Sequence, residues 1–339
     1  MPRTTAFKLS LAMVAVCVVA GLACRPKAKV PSWVNSAPAE SLAAFSGEAG
    51  WMLTRKEIQS LISREPMVER ALDLFLQKAH INPATESGRV TFHLLGLPKA
   101  EEGGLQKGLE HALIQLTQFK DPMALLGALA EAFPQEGSLR LQGRDWPLYV
   151  ILDVEAQGTK AHIRAASDEK GQIWIGSLEG LQRMASGQGL STQPDAVLAA
   201  EWINARAPFQ GYLQPDALLG GLRKSLDESV LKDLPQGVHA LFWSITPGAE
   251  GDPKREPPIQ FELALSGTPE GINQVTPWIQ RLVAATNAIQ GGPGAAPELM
   301  QEKRRVGLRA TLTSEQLKLI MEKLGQPGFV LPLRRGPKA

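Results

Sequence analysis

The cysteines of this chain set the terms on which it can fold. There are two in 339 residues, Cys17 and Cys24. Cys17 lies in an uncharged run from Leu9 to Ala23, which follows Arg3 and Lys8 and passes through Gly21-Leu22-Ala23 into Cys24, Arg25 and Lys27. Such a run is short for a helix that must cross about 30 Å of hydrocarbon. Its basic head, apolar middle and small residue before the join have the order of a cleavable secretory signal. Residues 1 to 23 are therefore expected to leave on export. The body that remains keeps one cysteine, at its first position, so no disulfide can staple it and a packed core has to hold it. About 315 residues, from a chain that is 44% hydrophobic, are enough for such a core.

The junction resembles a bacterial lipoprotein signal, in which a peptidase cuts ahead of a cysteine whose sulfur carries diacylglycerol. Ala23 and Leu22 match that pattern; Gly21 departs from it, standing where a larger aliphatic residue is usual. The resemblance implies lipidation at Cys24 and a membrane held through that lipid. Arg25 after the cysteine, in place of Asp, implies the outer membrane facing the periplasm if the cell has two membranes. The alternative is an ordinary signal cut at or near Ala23, with Cys24 left as a free thiol.

Residues 1 to 23 hold two basic side chains and no acidic one, so 34 of the 36 basic residues remain against all 34 acidic ones. The mature body is formally neutral. Nucleic-acid binding needs a basic surface that displaces phosphate counterions, so no nucleic-acid partner is expected. Arg25, Lys27 and Lys29 beside the anchor would lie at lipid headgroups, each adding roughly 1 kcal/mol on an anionic surface. Arg334, Arg335 and Lys338 read as a flexible basic tail.

Strand signals run through the body. Ile259, Phe261, Leu263 and Leu265 alternate with Gln260, Glu262 and Ala264, and Val306, Leu308, Ala310 and Leu312 with Gly307, Arg309 and Thr311. Each predicts a half-buried strand with one wet face. Similar runs fall at 90–95, 112–116, 148–154, 161–165, 172–176, 196–203 and 239–245. Helix starts lie between them: Thr54 with Glu57, Asp121-Pro122, Pro215, Thr268-Pro269, and Thr313 with Gln316. The two halves follow one order of helices and strands, with Phe119-Lys120-Asp121-Pro122 matching Ser266-Gly267-Thr268-Pro269. The expectation is an α+β chain of two repeated modules, each an antiparallel sheet with helices packed on one face. The boundaries are 1–23 signal peptide, 24–50 anchor and tether, 51–186 first module, 187–195 linker, 196–325 second module and 326–339 tail.

The layout, with pieces such as Gly211-Tyr212-Leu213-Gln214-Pro215-Asp216, also resembles uncharacterised bacterial exported proteins with duplicated α+β units. That resemblance carries no activity; it implies a noncatalytic role in the cell envelope.

Site motifs are sparse. There is no Gly-x-Ser-x-Gly elbow and no Ser-x-x-Lys pair. The histidines His80, His93, His111, His162 and His239 lack metal-ligand spacing, although His93 and His239 would share a site if two modules brought them together. The glycine runs 187–189 and 291–294 lack the residues of a phosphate cradle and read as linkers. The seven tryptophans read first as core, with Trp33 placed near enough to the tether to rest at a membrane interface. No catalytic residue, metal or cofactor is expected, and Cys24 is the one assigned site. Three functions remain, in order: a noncatalytic, lipid-anchored envelope protein binding or scaffolding a protein partner through loops 97–109, 247–258 and 290–301; a periplasmic carrier of an apolar or lipid-like ligand; and an enzyme.

Overall fold

The computed structural model describes residues 30–50, 88–96, 111–141, 143–156, 159–169, 171–186, 189–222, 235–247, 258–290 and 296–313, with residues 73, 77, 78, 80 and 316. Cys24, the Thr54 helix start, loop 97–109 and the body of the helix begun at Thr313 lie outside them.

Twelve strands form one antiparallel sheet. They are β1 (Ala43–Glu48), β2 (Arg89–Leu94), β3 (Ala112–Thr117), β4 (Gln135–Leu141), β5 (Arg144–Ala156), β6 (Thr159–Ser167), β7 (Ile173–Ser177), β8 (Phe209–Leu213), β9 (Val238–Pro247), β10 (Ile259–Gly267), β11 (Glu298–Glu302) and β12 (Arg305–Leu312). Their order is β11-β12-β10-β9-β8-β1-β2-β3-β7-β6-β5-β4. The expected fold of two modules, each with its own sheet, is corrected by the pairing at the middle. β1 runs antiparallel to β8, with Ala43 to Gly47 opposite Leu213 to Phe209, so hydrogen bonding passes from one half of the chain into the other without a break.

The helices also depart from the expectation, because they cover both faces. Among the described residues they are α1 (Ser32–Ser36), α2 (Pro122–Ala132), α3 (Leu178–Ser186), α4 (Pro194–Ala200), α5 (Pro215–Leu222) and α6 (Pro269–Gln290). On one face, Leu125 and Leu129 of α2 pack with Val90, Leu116 and Ile173, and Ile272, Val275 and Ile279 of α6 pack with Leu263, Leu265 and Val306. On the other, Trp33 and Val34 of α1 and Ala196, Ala199 and Ala200 of α4 cover Ala44, Tyr212, Phe242 and Ala264. Leu181 and Met184 of α3 extend that second layer over Leu113 and Trp174. A sheet packed by helices on both faces leaves few positions wet near its middle, and this decides how its inner polar residues are placed.

Several helix starts form as their residues dictate. Asp121 accepts from the Ala124 N–H at 2.9 Å, Ser177 from Gly180 at 3.0 Å and Thr268 from Gly271 at 3.1 Å. Thr313 and Gln316 bond reciprocally, Thr313 N to Gln316 Oε1 at 2.8 Å and Gln316 N to Thr313 Oγ1 at 3.1 Å, as a capping box requires. The run 196–203 is a different case: expected as a strand, most of it lies in α4. Pro194 opens that helix, alanine favours it, and its apolar character all round reflects burial between the sheet and its neighbours.

Two stretches read as connections hold structure. Residues 43–48, within the expected tether, are the central strand β1, and the end of loop 290–301 belongs to the edge strand β11 at residues 298–302. Leu190, in the expected linker, is fully buried in a short 3₁₀ turn.

Candidate functional site

Register explains how a sheet covered on both sides accommodates polar residues. In a strand, successive side chains point to opposite faces, and directly paired residues share a face. One row of paired residues crosses nine strands: Trp174, Gln115, Thr91, Ser46, Gln210, Ser244, Glu262, Arg309 and Glu298. The row one step along, on the opposite face, includes Ile114, Phe92, Phe45, Gly211, Trp243 and Leu263. The polar row faces α1 and α4, and its inner members are buried.

Those members are bonded, as burial demands. Gln115 Nε2 donates to Ser36 Oγ at 2.7 Å, and the Ser46 and Thr91 hydroxyls are 2.9 Å apart. Trp33 Nε1 donates to Gln210 Oε1 at 2.6 Å, while Gln210 Nε2 donates to the Asn204 carbonyl at 2.7 Å. Glu262, 2% exposed, accepts from Ser244 Oγ at 2.8 Å, from Arg309 Nε at 2.8 Å and from the Asn204 N–H. Glu262 is therefore buried where alternation alone predicts a wet position, while Arg309, opposite it, keeps a side chain that is partly exposed. Trp33 is core, 2% exposed, and its indole N–H is used inside the protein rather than at a membrane interface.

Arg89 joins this network from the first position of β2. Its Nη1 donates to Ser46 Oγ at 3.1 Å and to Gln210 Oε1 at 3.4 Å, and its Nη2 to the Ala207 carbonyl at 2.9 Å. It is 7% exposed, and no carboxylate oxygen lies within 4.0 Å of it among the described residues. Burial lowers its pKa from the usual arginine value, and the charge of Glu48, opposite it across the β1–β2 pair, works the other way.

Arg89 lines a cavity of about 580 Å³ at this end of the central strands. Val30 and Ser32 border it beside α1, Glu48 from the end of β1, Gln118 just past β3, and Ile203, Asn204, Ala205 and Arg206 from the loop between α4 and β8. That loop is rigidly set: Asn204 Oδ1 accepts from the Arg206 N–H at 3.0 Å and Asn204 Nδ2 donates to Thr246 Oγ1 at 3.0 Å. Gln118 has a left-handed backbone, φ 62°, which is uncommon outside glycine, and its Nε2 donates to Ser32 Oγ at 2.8 Å. Glu48 and Arg206 are exposed, and among the described residues neither forms an ion pair within 4.0 Å, although the Glu48 charge acts on Arg89 across the β1–β2 pair.

The histidines do not converge. His93 on β2 and His239 on β9 are separated by β1 and β8, about 14 Å at ordinary strand spacing, so they share no site. His93 is buried between Trp33 and Trp174, with ring centroids at 6.5 and 5.2 Å, and lies 3.4 Å from both Ser41 Oγ and Gln115 Oε1. Burial lowers its pKa to about 4, so it is neutral at pH 7. His239 is held between Asp195 at 2.6 Å and Asp216 at 3.7 Å, and Asp195 also pairs with Arg304 at 2.7 Å. The nearby Ser266 hydroxyl donates to the Asp195 backbone carbonyl, not to that ring. His162, on the long β5–β6 hairpin, pairs with Asp153 at 3.0 Å on the surface. Among the described residues, no three His, Cys, Asp or Glu side chains are grouped to hold a metal.

No motif or spacing in the sequence marks Arg89, Gln210 or Ser46. A single arginine opening a strand reads as a solvated end, and only the register shows that it enters a covered polar row. Comparison of the chain with known protein families, with curated proteins and with solved structures finds no match.

Proposed function

We propose that this chain is a noncatalytic, lipid-anchored binding protein of the cell envelope, held at the membrane through Cys24 and offering its folded body for recognition. The observation that supports the reading best is the closeness of the recognition cavity to the anchoring cysteine. Val30 borders the cavity and is six residues from Cys24. Six residues span at most about 20 Å when extended, so a lipid on Cys24 would keep the Arg89 cavity within roughly that distance of the bilayer surface. The sequence around Gly21-Leu22-Ala23-Cys24 supports lipidation, and the outer membrane facing the periplasm is the location proposed with it.

A carrier of apolar ligands is the second reading, and one observation favours it. Phe45, in the central strand, is 41% exposed and meets Trp243 edge to face at 5.6 Å, on the face opposite the polar row. Quenching of tryptophan fluorescence by a brominated fatty acid, absent in Phe45→Ser, would favour it.

The test of the anchor is fractionation. Wild-type protein should sediment with membranes and Cys24→Ser should either stay unprocessed or appear in the soluble envelope fraction. A processed Cys24→Ser variant that still sediments with membranes would overturn the proposal, because acyl chains at about 0.8 kcal/mol per buried methylene are the force it invokes.

A further inference from the structure

The geometry points to the Arg89 cavity as a binding site for a small ligand that carries one oxyanion group, a phosphate or a carboxylate. The site itself stands on the fold, while the closeness of a membrane source for that ligand rests on the anchored reading above.

The first support is the arrangement of Arg89. A guanidinium has five N–H donors. Two on Nη1 and one on Nη2 are engaged by Ser46, Gln210 and Ala207, which leaves Nε–H and one Nη2 N–H without an acceptor among the described residues. Nε and Nη2 form the edge on which a guanidinium takes an oxyanion through two parallel charge-assisted bonds. The side chain that offers them is buried, fixed by three bonds and bordered by a cavity large enough for a small molecule.

Charge supplies the second support. Among the described residues no carboxylate is in contact with the buried Arg89 guanidinium and only the more distant Glu48 acts on it, a costly arrangement that an anion in the cavity would relieve. The ionised groups lining the cavity are Arg89, Arg206 and Glu48, a balance of one positive charge, which a single anionic group brings to zero. Arg206 is exposed at the rim, free to close on the outer oxygens of a bound group. Glu48 sits where it would repel the same group, so it limits affinity and disfavours multiply charged ligands.

Backbone geometry adds a third. Gln118 holds its left-handed conformation at the cavity wall, and such conformations cluster where a ligand is clamped.

The experiment uses the purified full-length chain in detergent, titrated with sodium phosphate and, separately, with sodium chloride to equal ionic strength. Trp33 is a built-in reporter, because its indole bonds to the same Gln210 oxygen that Arg89 contacts. Saturable change in phosphate but not in chloride is expected. Glu48→Gln should tighten phosphate binding and Arg206→Gln weaken it, each about three- to tenfold, as expected of one surface charge a few ångströms away. Both positions are exposed, so neither variant depends on rebuilding the core; Arg89→Lys, which keeps the charge and loses the fork, should weaken binding further where it folds. Identical responses to phosphate and chloride, or unchanged midpoints in both exposed variants, would overturn the proposal. With binding shown, phosphatidylglycerol vesicles separate the two sources: their competition with phosphate identifies a lipid headgroup, and lack of competition identifies a free small anion.

Discussion

His93 shows what one buried residue contributes to behaviour in acid. It is 2% exposed and its folded pKa, about 4, lies below the ordinary histidine value of 6.5. The unfolded chain therefore binds a proton that the folded chain refuses. Stability from this residue is complete above pH 6.5, falls as pH drops from there toward 4, and changes no further below that. Between pH 7 and pH 5 the loss should be about 2 kcal/mol. Denaturant unfolding at the two pH values checks this: His93→Gln, less stable at pH 7 for its lost packing, should show a correspondingly smaller drop. An equal drop in both proteins would mean that other groups carry the acid response.

At the scale of the element, strands β8 and β9 depend on a close approach at their centre. A Cβ built on Gly211 would come within 1.9 Å of Trp243 Cζ2, and the Trp243 ring is itself backed by Phe45. Gly211→Ala should cost about 1–3 kcal/mol in denaturant unfolding as the indole is displaced. Trp243→Leu, combined with it, should remove most of that added cost, and strict additivity of the two changes would show that the contact is not the cause. This element also marks the limit of what sequence could disclose. The alternation of Ile259 to Leu265 and of Val306 to Leu312 predicts strands where β10 and β12 lie, because period two is a local property of the chain. Which face is wet is not local. Glu262 alternates with apolar neighbours as a surface residue does, yet the loop after α4 covers it and its Asn204 N–H bonds the carboxylate. β1, with Gly47 and Ser46 in six residues, has too little β-branched or aromatic content to stand out, and so the strand that joins the two halves stayed hidden.

At the scale of the molecule, the β1–β8 pair and the polar row make the two halves one mechanical unit. Ser46 on β1 stands between Thr91 of one half and Gln210 of the other, and Arg89 reaches across to both Gln210 and Ala207. Breaking the sheet there would expose two inner edges and orphan the buried donors between them, which disfavours a half-folded intermediate. Thermal unfolding of the body should therefore be one transition seen alike by far-ultraviolet dichroism and tryptophan fluorescence; two separated transitions would show that the halves hold independently. The same continuity places the Arg89 cavity on the seam of the whole sheet, with Val30 at its border six residues from Cys24 along the chain. Mass spectrometry of the protein extracted from its native membrane tests the account most directly. The expected result is a chain that begins at Cys24 and carries the added mass of a diacylglycerol group on that residue. A chain beginning elsewhere, or Cys24 with a free thiol, would contradict it.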